Sequence, residues 1–189
     1  MKLHAPAMLV MLLLLLPLAA RSAAWDVGPP VGAKVPALHA TDLKGAPVSL
    51  RALSGKNGLV LVFFRSAKWC PYCQKQLMDL KDAPGPLATR GYKLAAISYD
   101  PTDVLTQFTE KREIPYQLLS DQGSVTIDAW KLRDTRYKPD SFAWGVPFAS
   151  IYVISRTGVL TAKLAEEDYK VRPPITAVLT AIDGLPKGQ

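Results

Sequence analysis

Cysteine and histidine are almost missing from this chain. Among 189 residues there are two of each, and the histidines, His4 and His39, lie far apart. A zinc centre of the usual four-ligand kind needs more donors than Cys70, Cys73 and one nearby histidine could supply, so no metal is expected. Residue 74 is glutamine, which excludes the Cys-x-x-Cys-His pattern of haem attachment. A disulfide framework is excluded too, because the two cysteines stand only three positions apart and close too short a loop to staple distant segments. Runs of like charge are also lacking. The formal charge is +7, yet no three lysines or arginines are consecutive, so nucleic acid is not an expected partner.

One long apolar run is present, in "MKLHAPAMLVMLLLLLPLAARSAAWD". Lys2 precedes an apolar stretch from Ala7 to Leu16, and Ser22 and Ala24 are small residues suited to a signal-peptidase site. Residues 1–24 are therefore expected to be a secretory signal cleaved after Ala24. The alternative is an uncleaved membrane anchor through residues 7–18, although that run falls short of the roughly 20 residues a span needs. Lys2 and Arg21 leave with the signal and no acid does, so +7 falls to +5. The location expected is periplasmic or secreted, where thiols oxidise unless something keeps them reduced.

The mature chain divides into an extended lead-in (25–36), one domain (37–185) and a short tail (186–189). "ALHATDLKGAPVSL" is expected to form a small hairpin turning at Lys44-Gly45. "LVLVFF" (59–64) has the unbroken apolar character of a strand buried on both faces. "KLAAISY" (93–99) reads as a second such strand and "YQLLS" (116–120) as a third. "DPTD" (100–103) opens a helix with Asp100 as its cap and Pro101 at its first position. Ser124 to Leu132 reads as a short helix, and 148–154 with 159–165 as a hairpin. A last helix begins at Pro173-Pro174 and stops at Gly184. Helical crossovers between strands followed by a hairpin predict an α/β fold: a mixed central sheet in a three-layer sandwich, helices on both faces.

The cysteines follow the first strand in "KWCPYCQK". Cys70 is placed to cap a helix, with Pro71 at its first position, while Cys73, Leu77 and Leu80 share one helical face. The unpaired N–H groups and dipole at a helix start favour a thiolate, so Cys70 is expected to be the exposed, attacking thiol. Cys73, one turn in, can resolve a mixed disulfide. The chemistry resides in the two sulfurs and requires no cofactor.

"LVLVFFRSAKWCPYCQKQL" resembles the active-site segment of thioredoxin-fold proteins, in particular the redoxin branch related to alkyl-hydroperoxide reductase and thiol-specific antioxidant proteins. The likeness extends over about residues 33–184 and includes "TDLKGAPVSLRALSGKNGLVLVFF" and "GVPFASIYVISRTGVL". It implies a thioredoxin-like fold with an N-terminal hairpin extension, Cys70 as nucleophile and Cys73 as resolving thiol. It also implies that Pro147, after Val146, is a cis-proline whose neighbouring backbone pairs with substrate, and that Trp69 shields the pair. Lys68 and Arg65 could add positive potential. The chain departs from the peroxiredoxin pattern, which has a proline where Phe63 stands and a hydroxyl where Ala67 stands. Ser66 is the nearest hydroxyl, and Arg136 is a candidate for the pattern's distant arginine. The dipeptide Pro71-Tyr72 matches the glutaredoxin active site. The leading expectation is thus a thiol–disulfide oxidoreductase acting on protein or small-molecule disulfides with a thiol donor or acceptor. A thiol peroxidase, with Cys70 peroxidatic and Cys73 resolving, is the alternative. A thioredoxin-fold binding or metallochaperone module is the third reading.

Overall fold

The computed structural model describes residues 25–186, so the expected signal segment lies outside the described residues. No helix among the described residues is long and apolar enough to cross a membrane. The chain opens with a short helix α1 (Leu50–Leu53), whose cap Ser49 accepts from Ala52 N–H. Strand β1 (Gly58–Phe63) follows, then helices α2 (Pro71–Asp79) and α3 (Pro84–Thr89), strand β2 (Tyr92–Ser98), helix α4 (Thr102–Arg112), strand β3 (Gln117–Ser120) and helix α5 (Val125–Ala129). Strands β4 (Ser150–Ser155) and β5 (Leu160–Ala165) form a hairpin, and helix α6 (Ile175–Asp183) ends the fold.

The five strands form one mixed sheet in the order β3-β2-β1-β4-β5. β1 and β2 run parallel, with Val60 opposite Leu94, and β2 runs parallel to β3. β4 is antiparallel to β1, and β5 to β4. All six residues of β1 are buried because both faces are covered. Alternation sends Val60 and Val62 to one face, where they join Leu77, Leu87, Leu105 and Val178 from α2, α3, α4 and α6. Leu59, Leu61 and Phe63 point to the other, against Leu53 of α1 and Ile127 of α5.

Two local expectations need correction. The hairpin at Lys44-Gly45 is a single bridge, Thr41 to Pro47, around a turn that Asp42 fastens by accepting from Lys44 and Ala46 N–H. Its chain turns into α1 instead of extending as a ladder. Between α2 and β2, Pro84 and Pro86 begin α3. Both prolines sit in its first turn, where no intrahelical N–H is required. The α4 cap position belongs to Pro101, and the Asp100 carboxylate turns inward. The lead-in runs beside the β4–β5 hairpin, where Gly32 N–H donates to Leu160 O and Val35 N–H to Gly158 O.

Candidate active site

Beyond β1, Phe64 N–H still reaches Ile97 O across 3.0 Å, and the chain then leaves the sheet at the carboxyl end of its parallel strands. That end is where sites gather on α/β sheets. Residues 65–69 bridge to α2, and Cys70 occupies the N-cap with Pro71 in the first turn. The Cys70 sulfur accepts from Cys73 N–H at 3.2 Å, and the two cysteines are joined by a disulfide, with Cα atoms 5.2 Å apart.

Both cysteines are buried, Cys70 at 2% exposure and Cys73 at 0%. Cys70 is therefore not the exposed member that the helix-cap position implied, since in the disulfide its sulfur turns inward to Cys73. The second sulfur has donors around it. Arg65 N–H lies 3.4 Å from Cys73 Sγ and Arg172 Nη2 lies 3.6 Å from it.

Arg65 is a buried cation, 2% exposed. Its guanidinium carbon stands 4.2 Å from the centre of the Tyr169 ring, 5.0 Å from Tyr137 and 5.4 Å from Trp69. Nη2 donates to the Tyr137 hydroxyl, while Nε and Nη1 are buried without partners. Arg172 arrives from the segment between β5 and α6. Burial and the charge of Arg65 bring its pKa down to about 10.

A second network holds the loop before Cys70. Asp100 Oδ1 accepts from Ser66 Oγ at 2.8 Å, and Oδ2 accepts from Ala67 N–H at 2.7 Å and Ser98 Oγ at 3.0 Å. Burial raises the Asp100 pKa despite these bonds. Ser66 Oγ in turn accepts from Lys68 and Trp69 N–H. It is thus fully engaged in shaping the loop and offers nothing at the sulfurs. Lys68 is exposed. Trp69 is half-buried, donates from Nε1 to Tyr99 OH at 3.0 Å and meets Phe142 edge-on.

The Val146–Pro147 segment differs from what the resemblance implied. No peptide bond among the described residues is cis, so Pro147 is trans. Its backbone is extended because it pairs internally: Arg133 bridges Pro147, Asp134 N–H donates to Val146 O at 2.9 Å, and Phe148 N–H to Leu132 O at 2.7 Å. Val146 N–H is bound to Ala143 O. The edge expected to receive a substrate strand is therefore already paired by the chain's own residues 132–134. Gly145 permits the preceding turn, at φ 98°, where a Cβ would stand 2.5 Å from Ser124 Oγ. Arg136 chelates Asp134 and stacks on Phe148, without a hydrogen bond to either cysteine.

The structure thus brings Cys70, Cys73, Trp69 and Arg65 together and adds Arg172, Asp100, Tyr137 and Tyr169, none of which the sequence singled out for the site. Asp100 had a sequence signal, a carboxylate ending a buried strand, but the helix-start pattern around it pointed to capping. Tyr137, Tyr169 and Arg172 lie in irregular segments with no periodicity to place them.

A sequence model described as the AhpC/TSA family matches residues 31–163. Among named proteins, a chloroplastic peroxiredoxin Q of Sedum lineare is 30% identical over 129 residues, covering 68% of this chain and 65% of that protein. A second, from Suaeda salsa, is 31% identical over the same share of this chain and 56% of its own length, so the chain spans less than two thirds of these plant relatives. A Mycobacterium tuberculosis protein named as a peroxiredoxin is 30% identical over 141 residues, 75% of this chain and 85% of that one. Among solved structures, the peroxidoxin BcpB of Mycobacterium tuberculosis superposes with a TM-score of 0.69 at 20% identity, covering 85% of this chain and 99% of that one. A peroxiredoxin-like protein of Aquifex aeolicus gives 0.68 at 13% identity, covering 84% and 88%. These likenesses establish a thioredoxin-like peroxiredoxin fold. The family match spans more than half of the sequence, and the chain belongs to the AhpC/TSA family.

Proposed function

We propose that the protein is a thiol–disulfide oxidoreductase of peroxiredoxin-like type that cycles Cys70 and Cys73 between dithiol and disulfide. The observation carrying this reading is the bond between the two sulfurs at the start of α2, with Cys70 also accepting from Cys73 N–H. In the reducing direction the Cys70 thiolate attacks one sulfur of a substrate disulfide and expels the other as thiolate. Cys73 then attacks Cys70 Sγ in the mixed disulfide, the second substrate thiolate leaves, and the intramolecular disulfide closes. The substrate gains two electrons and the pair loses two. Two equivalents of an external thiol reverse the change.

A second reading is favoured by one further observation. Peroxide reduction places negative charge on the departing oxygen, which needs donors aimed at it. Ala67 offers no hydroxyl and Ser66 is spent, but buried N–H groups of Arg65 and Arg172 are unpartnered in the same site. With such donors, Cys70 would attack the O–O bond, release water or an alcohol and become a sulfenic acid. Condensation with Cys73 would lose water and close the same disulfide. Several relatives carry peroxiredoxin names.

The deciding experiment is rapid mixing of the dithiol protein with a model disulfide and, in parallel, with hydrogen peroxide, following loss of thiol. Fast disulfide exchange with peroxide reacting like an ordinary thiolate supports the first reading. Peroxide consumption several orders of magnitude faster than a free thiol makes the protein a peroxidase. Failure of both to oxidise the pair rejects the cycle. The proposed location is periplasmic or secreted after cleavage behind Ala24, which the intact mass of the exported protein tests.

A further inference from the structure

Two cations, Arg65 and Arg172, meet in the core of the site without an ion-pair partner among the described residues. Arg65 Nε and Nη1 and Arg172 Nε are buried with no acceptor at all. A buried charge left uncompensated is costly, and each lone N–H adds its own desolvation penalty. The aromatic faces of Tyr169, Tyr137 and Trp69 shelter Arg65, but they carry no net charge. Other donors of the same two residues reach Cys73 Sγ: Arg172 Nη2 at 3.6 Å and the main-chain N–H of Arg65 at 3.4 Å. In the disulfide that sulfur is neutral. Only when the disulfide opens can it become the missing anion.

We propose that the Arg172 guanidinium, with the main-chain N–H of Arg65, stabilises Cys73 as the leaving thiolate when the Cys70–Cys73 disulfide is reduced. An incoming thiolate attacks Cys70 Sγ, a new S–S bond forms there, and the Cys70–Cys73 bond breaks with its electron pair going to Cys73 Sγ. Cys73 is then a thiolate against the Arg172 guanidinium. A second thiolate attacks the mixed disulfide, takes the first thiol away as an external disulfide and releases Cys70. The two electrons come from two molecules of the external thiol. A leaving thiol of lower pKa departs faster, and a reduced form held as thiolate makes the disulfide a stronger oxidant. The inference therefore deepens the proposed thiol–disulfide cycle, on which it rests. It makes Arg172 a catalytic residue, because its guanidinium touches a reacting atom, and it makes the disulfide a ready electron acceptor.

Other charged groups facing this corner do not replace the pair. Asp168 and Tyr169 lie close enough to Arg172 to favour its charge, and Arg65 opposes it. Tyr137 is bound to Arg65. Asp100 is tied to Ser66, Ala67 and Ser98 on the other side of the loop, with Lys68 nearby. Cys70 has its own helix-cap donor, Cys73 N–H.

The test reads Cys73 directly. In the Cys70→Ser variant, thiolate absorbance in the ultraviolet is followed against pH. The midpoint for Cys73 is expected at least one unit below the ordinary thiol value of about 8.5. Adding Arg172→Met should move it up by about one unit, and Arg172→Lys should restore part of the shift. With both cysteines present, Arg172→Met should slow reduction by dithiothreitol about tenfold and lower the reduction potential by about 30 mV, the equivalent of that factor in equilibrium. A midpoint at or above the ordinary value in the Cys70→Ser protein overturns the proposal without any arginine substitution. An unchanged midpoint in Arg172→Met, with native circular dichroism, overturns it as well. A low Cys73 midpoint in a protein that exchanges no disulfide would sink the proposed cycle and leave this electrostatic role standing.

Discussion

Ser66 Oγ donates to Asp100 Oδ1 across 2.8 Å, tying the loop in front of Cys70 to the end of the neighbouring strand β2. The bond has a fixed polarity. Ser66 Oγ already accepts from Lys68 N–H at 2.9 Å and Trp69 N–H at 3.3 Å, so its own hydrogen must point at Asp100. The other carboxylate oxygen accepts from Ala67 N–H and Ser98 Oγ. Three donors converge on one buried group, and only a carboxylate presents acceptors to all of them.

Asp100→Asn keeps the shape and fails this requirement. Its amide group must face either Ser66 or Ala67, and whichever it meets is itself a donor. One buried donor is left unsatisfied, a cost of about 1–3 kcal/mol. The variant should fold with a lower melting temperature and alkylate its reduced cysteines faster, because the loop 65–69 loosens. Calorimetry and timed alkylation check both. A melting temperature equal to that of the parent would show that the network is not selective for the carboxylate.

Asp100 and Asp121 also set a pH dependence. Burial raises both carboxyls above their usual range, against hydrogen bonds that pull the other way. A carboxyl more easily protonated in the fold than in the unfolded chain stabilises the fold when protonated. Its contribution is complete below the unfolded value of about 3.9 and is lost as pH rises through the raised one. Asp183 behaves oppositely: its hydrogen bonds to Arg90 hold it low, so its contribution is present above the ordinary value and fades as pH falls through the depressed one. Lowering the pH toward the ordinary carboxyl range should therefore strengthen the contribution of these two groups to the melting temperature of the parent, and strengthen it less in Asp100→Asn. Equal slopes in the two proteins would remove Asp100 from the account.

The roles of the two thiols are separable by substitution. Cys73→Ser leaves the helix-capping thiol without its resolving partner, so mixed disulfides with substrate proteins or a small thiol should accumulate on Cys70. Cys70→Ser should form none. In the reduced parent, Cys70 should alkylate before Cys73 at neutral pH, since Cys73 lies deeper on α2 beneath Arg172. Mass spectrometry of the trapped adducts decides. Equal trapping by both variants, or first labelling at Cys73, would reverse the assignment.

Much of this arrangement was legible in the residues. The apolar block at 59–64, the proline after Cys70 and the short spacing to Cys73 place a sulfur pair at the start of a helix behind a central strand, and that is what is found. The turn of the β4–β5 hairpin was equally readable, because Gly158 takes the positive φ that it demands, and Gly184 stands at the C-cap of α6. What could not be read depends on segments without a period. Residues 132–134 take the hydrogen bonds of Val146 to Phe148, and nothing local in either stretch announces the pairing. Arg65 reads in the sequence only as a charge that could add positive potential near the motif. Its burial follows from three aromatic rings that only the folded chain assembles, two of them from the irregular stretches around Tyr137 and Tyr169.

Tyr169 is the point where those distant parts meet. Its ring covers the Arg65 guanidinium at 4.2 Å and meets the Tyr72 ring edge-on with centroids 5.8 Å apart. Tyr72 lies between the two cysteines, and Tyr169 lies three residues before Arg172, so one side chain pins the segment between β5 and α6 over the redox pair. Tyr169→Ala removes a cation–π contact of about 0.5–2 kcal/mol and an aromatic pair of about 0.5–1.5 kcal/mol. It also admits water to Arg65 and lets Arg172 drift from Cys73. The variant should lose stability of about 1–3.5 kcal/mol in total, alkylate its reduced cysteines several-fold faster, and show a raised thiolate midpoint for Cys73 when combined with Cys70→Ser. Tyr169→Phe keeps the ring, and the Tyr169 hydroxyl has no hydrogen bond on which these effects depend, so Phe should behave almost as the parent. If Ala and Phe shift the midpoint alike, the ring is not what holds Arg172 in place. If neither changes stability or alkylation, the segment does not clamp the site.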